Sequence, residues 1–340
     1  MRWHVGRSAT AALALLALLV VALVTVPVPF VAIGRGPTFD TLGAVNGIAV
    51  VGVKNLPTYP TSGHLNMTTV GVTDGLTGLQ ALRVWASRDQ RLLPRVALVR
   101  PGETSADAAA RNERLFLDSQ NAAEAAALGQ LGLPTLVVVG EVLSDGPATG
   151  ALTSGDVLLT VAGRPVTGVA GLRTLLAELT PGQQVAIGVR RADGPAADVM
   201  VTVSANPRSS GGFLGIVPVA RPVEDDIDFN LGDVGGPSAG LMFALATVDK
   251  LTPGELTGGR FVAGTGTIDS TGTVGKIEGI PFKMAAAHDA GATVFLVPGG
   301  NCEEAVPAAP EGLQIVRVDD LAGAVAALDT LRAGGTPPTC

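Results

Sequence analysis

The chain has 340 residues, with 23 Lys and Arg against 30 Asp and Glu and a formal net charge of −7. It is long enough for more than one domain, and its acidic balance argues against nucleic acid as the main partner. Hydrophobic residues make up 47% but aromatics only 4%, so the cores must be built from Ala, Val and Leu. Of the basic residues 19 are Arg and four are Lys: Lys54, Lys250, Lys276 and Lys283. Arg keeps its proton at any working pH whereas Lys can lose it, so each Lys is a point of chemical interest.

Residues 1–8 form a short N-terminus with Arg2 and Arg7. Residues 9–33 come next with no charge, and TAALALLALLVVALVTV is apolar all round. At about 1.5 Å per residue this run is read as a transmembrane anchor for a core of roughly 30 Å. The preceding arginines place the N-terminus in the cytoplasm and the rest of the protein outside. A cleaved signal peptide is the alternative, but VPVPFVAIGRGP offers no small-x-small cleavage site.

Residues 34–130 are expected to be linker and helical region packing on the two domains C-terminal to them. GHLNMTTVGV reads as a strand, Leu76 to Trp85 as a helix, and Ser105 to Leu131 as a long Ala-rich helix. Residues 131–205 change to short strands and tight turns. TLVVVGEVL is a strand, SGDVLLTVAGRPV a strand-turn-strand, VAGLRTLLAEL a short helix, and QQVAIGVRRADG with AADVMVTV a hairpin. This order, and DGPATGALTSGDVLLTVAGRPVTGVAGLRTLLAEL in particular, resembles a PDZ domain. The resemblance implies that a peptide segment or a free C-terminus adds as a strand, with the carboxylate loop near Leu131, Gly132 and Leu133. Pro134, the next residue, has no N–H to give. A PDZ-shaped spacer without ligand is the other reading.

Residues 206–333 hold the chemistry, and 334–340 form a tail. In GGPSAGLMFALATVD, Pro237 suits a first helical turn, so Ser238 lies among free backbone N–H groups at the positive helix end. Gly235 and Gly236 permit close backbone approach. The residue is either a nucleophile or an ordinary N-terminal serine, and a nucleophile needs a base. His4 and His64 are remote in sequence, and His288 reads as a surface helix residue. Lys283 comes after Pro281, so it too occupies a first turn, where a cation is disfavoured by up to about 1 kcal/mol. Flanking Phe282 and Met284 further favour the neutral amine.

PSAG followed by GTGTIDSTGTVGKIEGIPFKMAAAHDAGATVFLVPGGN closely resembles the proteolytic domain of Lon proteases. The resemblance implies Ser238 as nucleophile and Lys283 as base. Gly236 and Pro237 would lie at the oxyanion site, and Thr265 would orient the lysine. Two positions depart from that family: Gly235 stands where an Asp is usual, with Asp233 nearby, and Thr267 replaces a Glu. No ATPase module accompanies the domain. STGTVGKI lacks the first glycine of a phosphate loop and places Ile after the Lys, so no ATP site and no cofactor are expected.

The whole resembles bacterial membrane-anchored PDZ–Lon-like serine proteases. The expected fold class is α+β multidomain: an N-terminal transmembrane helix, a PDZ-like β-rich domain and a C-terminal Lon-type proteolytic α/β domain. The implied partners are polypeptide substrates, the membrane through one helix, and further copies of the protein in a ring. An inert, membrane-tethered PDZ binding or assembly protein is the rival reading. Cys302 and Cys340 are expected to bridge in an oxidising compartment, two unrelated thiols being the alternative. With three scattered His, they make no metal-ligand set.

Overall fold

A strand buried on both faces carries no alternating pattern, and this separates the observed architecture from the expected one. The computed structural model describes residues 3–87, 89–191, 194–206, 211–223, 227–232 and 234–340, with side chains from Ala9 onward. Helix α1 (Trp3–Thr25) bears exposed Leu and Val side chains between Leu13 and Val24. Among the described residues no helix is long and apolar enough to cross a membrane.

Region 34–130 is no linker. It supplies β1 (Phe30–Asp40), β2 (His64–Thr73) and β3 (Gln90–Pro94), with β1 antiparallel to both neighbours. Four successive residues of β2, Leu65 to Thr68, are buried, which is why its sequence signals a strand but not its partners. The expected helices are present as α2 (Gly78–Ala86) and α3 (Ser105–Gln130). Each begins with a capping box, Thr77 with Gln80 and Thr104 with Asp107, satisfying two otherwise orphaned N–H groups.

The second sheet holds β4 (Thr135–Val142), β5 (Val157–Val161), β6 (Arg164–Pro165), β7 (Gln184–Arg190), β8 (Ala196–Thr202) and β9 (Ile216–Pro222). Its order is β8-β7-β5-β4-β9, antiparallel throughout, with β6 on β5. Helix α4 (Gly168–Ala177) packs Val169, Leu172 and Leu175 onto this sheet's own core of Val137, Leu158 and Ile187. A boundary at 205 therefore cuts this sheet short: its edge strand β9 comes from the segment assigned to the next domain.

The backbone then returns to the first sheet. Helix α5 (Gly240–Leu251) is buried from Gly240 to Asp249. After it come strand β10 (Phe261–Gly264), the hairpin β11 (Thr267–Ile268) and β12 (Val274–Gly275), α6 (Ile280–Asp289), β13 (Val294–Pro298), β14 (Gln314–Val318) and α7 (Leu321–Arg332). Strand β10 runs parallel to both β2 and β13, and β13 parallel to β14, giving the order β14-β13-β10-β2-β1-β3. One sheet thus joins residues 30–94 to residues 261–318 across the intervening second sheet. The apolar core beneath it includes Leu65, Met67, Phe243, Leu245 and Leu296. Cys302 and Cys340 form a disulfide, which holds the tail so that Pro338 O accepts from Arg317 N–H of the edge strand.

Candidate active site

Ser238 stands on a single 3-10 turn, Pro237–Ala239, that leads into α5. The turn begins at Gly236, whose φ of 91° lies in the left-handed region open to glycine. The carbonyls of Pro237 and of Ser238 itself are held. Ser119 of α3 donates to Pro237 O at 3.0 Å, and Gly266 N–H and Thr265 Oγ1 donate to Ser238 O at 3.0 and 3.1 Å. The final glycine of PSAG also has a packing reason. A Cβ on Gly240 would sit 2.7 Å from Ser119 Oγ and 2.8 Å from Ile268 Cγ2.

Lys283 comes from the first turn of α6, after Gly279 in left-handed conformation and Pro281. It is 2% exposed. Its Nζ lies 2.7 Å from Ser238 Oγ and donates to Thr265 Oγ1 at 2.9 Å. Burial pushes the amine down from its ordinary 10.5 to about 7, since the charged form loses its water without gaining a carboxylate. Thr265 spends its one proton on Ser238 O, so toward the lysine it can only accept. A neutral amine that donates to Thr265 keeps its lone pair for the serine proton. Thr265 thus orients the amine beside Ser238 and fixes the direction of the hydrogen bonds around it.

Gly236 and Pro237 do not furnish oxyanion donors. The Gly236 N–H is spent on Asn112 O at 3.0 Å, and Pro237 has none. Their part is conformational. Sequence reasoning missed Asn112 and Ser119, which reach the turn from α3 more than a hundred residues earlier and lie in no local motif. Asp233, noted for its nearness to the serine, lies outside the described residues.

A cleft of about 650 Å³ opens in front of Ser238, walled by Val72, Asp74, Leu98, Asn112 and Lys276. A smaller recess of about 220 Å³ adjoins the serine, lined by Phe39, Met67, Val70 and Val234 together with Thr69 and the Gly235–Gly236 backbone. Asp74–Arg95 and Glu103–Arg111 ion pairs pin the rim of the cleft to β2 and α3. His288 is exposed on α6 and His64 pairs with Asp40, so neither touches the serine. Among the described residues no group of three or more His, Cys, Asp or Glu is placed to hold a metal ion.

Gly132 and Leu133 line a cavity of about 650 Å³ together with Val169, Ala170 and Arg173 of α4 and Ala220 of β9. Leu131 caps α3, Gly132 takes a φ of 68°, and Leu133 N–H donates back to Leu128 O, which is a helix ending. The sheet ends on β8 at one side and on β9, beside α4, at the other. In β9 the Ala220 N–H points away from β4 and donates to Ser270 Oγ at 3.0 Å, on the β11–β12 hairpin. By strand alternation Pro218 and Pro222 share that outward parity, and neither has an N–H.

A serine hydroxyl thus lies against a buried amine, on a turn whose Pro237 and Ser238 carbonyls are both held, an arrangement suited to nucleophilic chemistry. The comparisons agree in class. Residues 232–328 match the Lon protease (S16) C-terminal proteolytic domain, and residues 116–203 match the PDZ domain. The chain thus joins a PDZ domain to a proteolytic domain of the Lon-type serine peptidases. A Lon protease of Clostridioides difficile (strain 630) is 39% identical over 79 residues, 23% of this chain and 10% of that protein. The match therefore spans about a tenth of the length of that curated relative. The PDZ domains of SdrC-like proteins from Listeria monocytogenes and Listeria innocua are each 20% identical, with TM-scores of 0.23. They cover 24% of this chain and 86% and 92% of their own.

Proposed function

We propose that the protein is a membrane-anchored, ATP-independent serine endopeptidase acting with a Ser238/Lys283 dyad on unfolded or membrane-associated polypeptides. The observation that carries this reading is the 2.7 Å contact between Ser238 Oγ and an amine whose burial brings it to about 7. Neutral Lys283 takes the serine proton as Oγ attacks the scissile carbonyl. The developing oxyanion is met by the N–H of Ser238 itself, since Gly236 and Pro237 offer no donor. Lys283, now charged, returns its proton to the leaving amine, and water then hydrolyses the acyl-enzyme. The recess beside the serine has room for one side chain of the substrate.

Anchoring is supported by the uncharged stretch 9–33 and by the outward-facing Leu and Val side chains of α1. The Cys302–Cys340 bridge suits an oxidising, extracytoplasmic compartment. The PDZ domain recruits or gates peptide segments along β9, and its muted edge favours a short contact over a long added strand.

The test is digestion of an unfolded soluble protein by the wild-type enzyme and by Ser238→Ala, Lys283→Ala and Lys283→Arg. The expected result is cleavage by the wild type only, with the arginine variant as inactive as the alanine one. Equal cleavage by all four would remove the dyad. Binding of peptides with no cleavage by any of them would favour an inert tethered PDZ protein, the reading to which the departures at Gly235 and Thr267 point.

A further inference from the structure

Helix α2 has three faces, and the fold accounts for two of them. Ala81 and Val84 are buried, Val84 in a small core with Ala32, Leu76, Val28 and Leu92. Gln80 and Arg83 form a polar face, with Gln80 closing the capping box. The third face is Gly78, Leu82 and Trp85, aligned at spacings of four and three. At its start this face meets α1: a Cβ on Gly78 would lie 2.7 Å from Leu23 Cδ1. The junction is fixed by Val28 N–H donating to Leu76 O at 2.7 Å and by a bridge between Pro27 and Thr77. Beyond Gly78 the same face runs on uncovered, with Leu82 52% and Trp85 77% exposed. Val96, 67% exposed, stands by the same junction, because its neighbour Arg95 donates its N–H to Pro29 O.

We propose that this face of α2 rests in the headgroup–acyl boundary of a lipid bilayer, with Leu82 and Trp85 as its membrane contacts. The inference rests on the anchoring reading above and extends it from α1 to a second element. A lipid surface is the occupant because the stripe continues the outward-facing Leu and Val flank of α1, so whatever covers one reaches the other. The exposed indole, with Gln80 and Arg83 on a separate polar face, has the form of an interfacial helix. The turn that leads into α2 carries Asp74, a wall of the cleft in front of Ser238. The cleft therefore opens beside the membrane surface, and its substrates are polypeptide segments that emerge from the bilayer.

The protein has two tryptophans, Trp3 and Trp85, so the full-length Trp3→Phe variant reports on Trp85 alone. It is reconstituted into phosphatidylcholine–phosphatidylglycerol vesicles whose acyl tails carry bromine either near the headgroup or near the methyl end. Shallow bromine is expected to quench Trp85 emission about twofold or more, and deep bromine much less. An unquenched Trp85 in a protein that resists alkaline extraction overturns the inference while leaving the anchor standing. Release of the protein by alkali removes the anchor, and the inference with it. The Leu82→Gln/Trp85→Gln pair is expected to stay embedded, to digest a soluble unfolded protein at the wild-type rate, and to cleave a vesicle-tethered unfolded segment several-fold more slowly. Equal rates on the tethered segment also overturn it.

Discussion

The two six-stranded sheets treat their polar groups in opposite ways. Beside the first, Ser238, Thr265 and Lys283 are packed into a connected set of hydrogen bonds. Along β9 of the second, donors have been removed or capped: two prolines lack them, and Ala220 gives its own to Ser270. The first region is prepared for chemistry before a substrate arrives. The second is prepared to limit what attaches to it, as exposed edges must be. The contrast teaches that a catalytic group is made reactive by burial, whereas an edge is made selective by subtraction.

The sharpest way to break this comparison is pH. If the dyad works as proposed, kcat/KM rises with pH and reaches half its plateau near pH 7, where Lys283 loses its proton. An inflection near the ordinary 10.5 would mean the amine is not desolvated in solution. The same shift bears on stability. A lysine depressed in the folded state binds fewer protons there than when unfolded, so its penalty is full below about pH 7 and fades toward 10.5. Lys283→Met is therefore expected to raise Tm most at pH 6 and little at pH 10, read by calorimetry.

Thr265 comes next in size. Thr265→Val keeps shape and loses the acceptor that aims the lysine, and kcat is expected to fall by about 10- to 100-fold with KM little changed. Thr265→Ser should recover most of that loss. Recovery equal to valine would make the methyl, not the hydroxyl, the working part.

Removing the disulfide by Cys302→Ala/Cys340→Ala opens a loop with a separation of 38 residues. The expected cost is up to about 4 kcal/mol of unfolding free energy in denaturant titration, with kcat unchanged because neither cysteine lines the cleft. The smallest effect concerns the second sheet. Ser270→Ala frees the Ala220 amide, and its hydrogen exchange should quicken by about fivefold, the worth of one modest hydrogen bond. No change there would mean that β9 and the β11–β12 hairpin do not hold each other in solution.

Much of the site is legible in the sequence because it is local. PSAG and the Pro281–Lys283 turn each place a side chain by helix-start chemistry, and a lysine among so many arginines marks itself. The helices α2 and α3 are equally legible, from their periodicity. What stays hidden is what the fold assembles at a distance. Strand β2 pairs with β10 through His64 opposite Phe261, and no periodicity within either strand names its partner. Asn112 and Ser119 sit in an Ala-rich helix that reads as scaffolding. Leu131–Leu133 also ends α3, through the bond from Leu133 to Leu128, a role that glycine serves as readily as it serves loops. The role of β9 escapes a sequence reading because two prolines argue against a strand, although an outward-facing edge tolerates them.

The tail crossing β14 has a consequence for how molecules of this protein meet one another. A sheet that ended on bare backbone there would invite its neighbour's margin to zip onto it. Tied by the bond from Arg317 to Pro338 and stapled at Cys340, the tail occupies part of that margin, and a reducing milieu would loosen it. Clumping of the folded protein on mild reduction, faster than any loss of helical signal, would be the mark of that margin laid open.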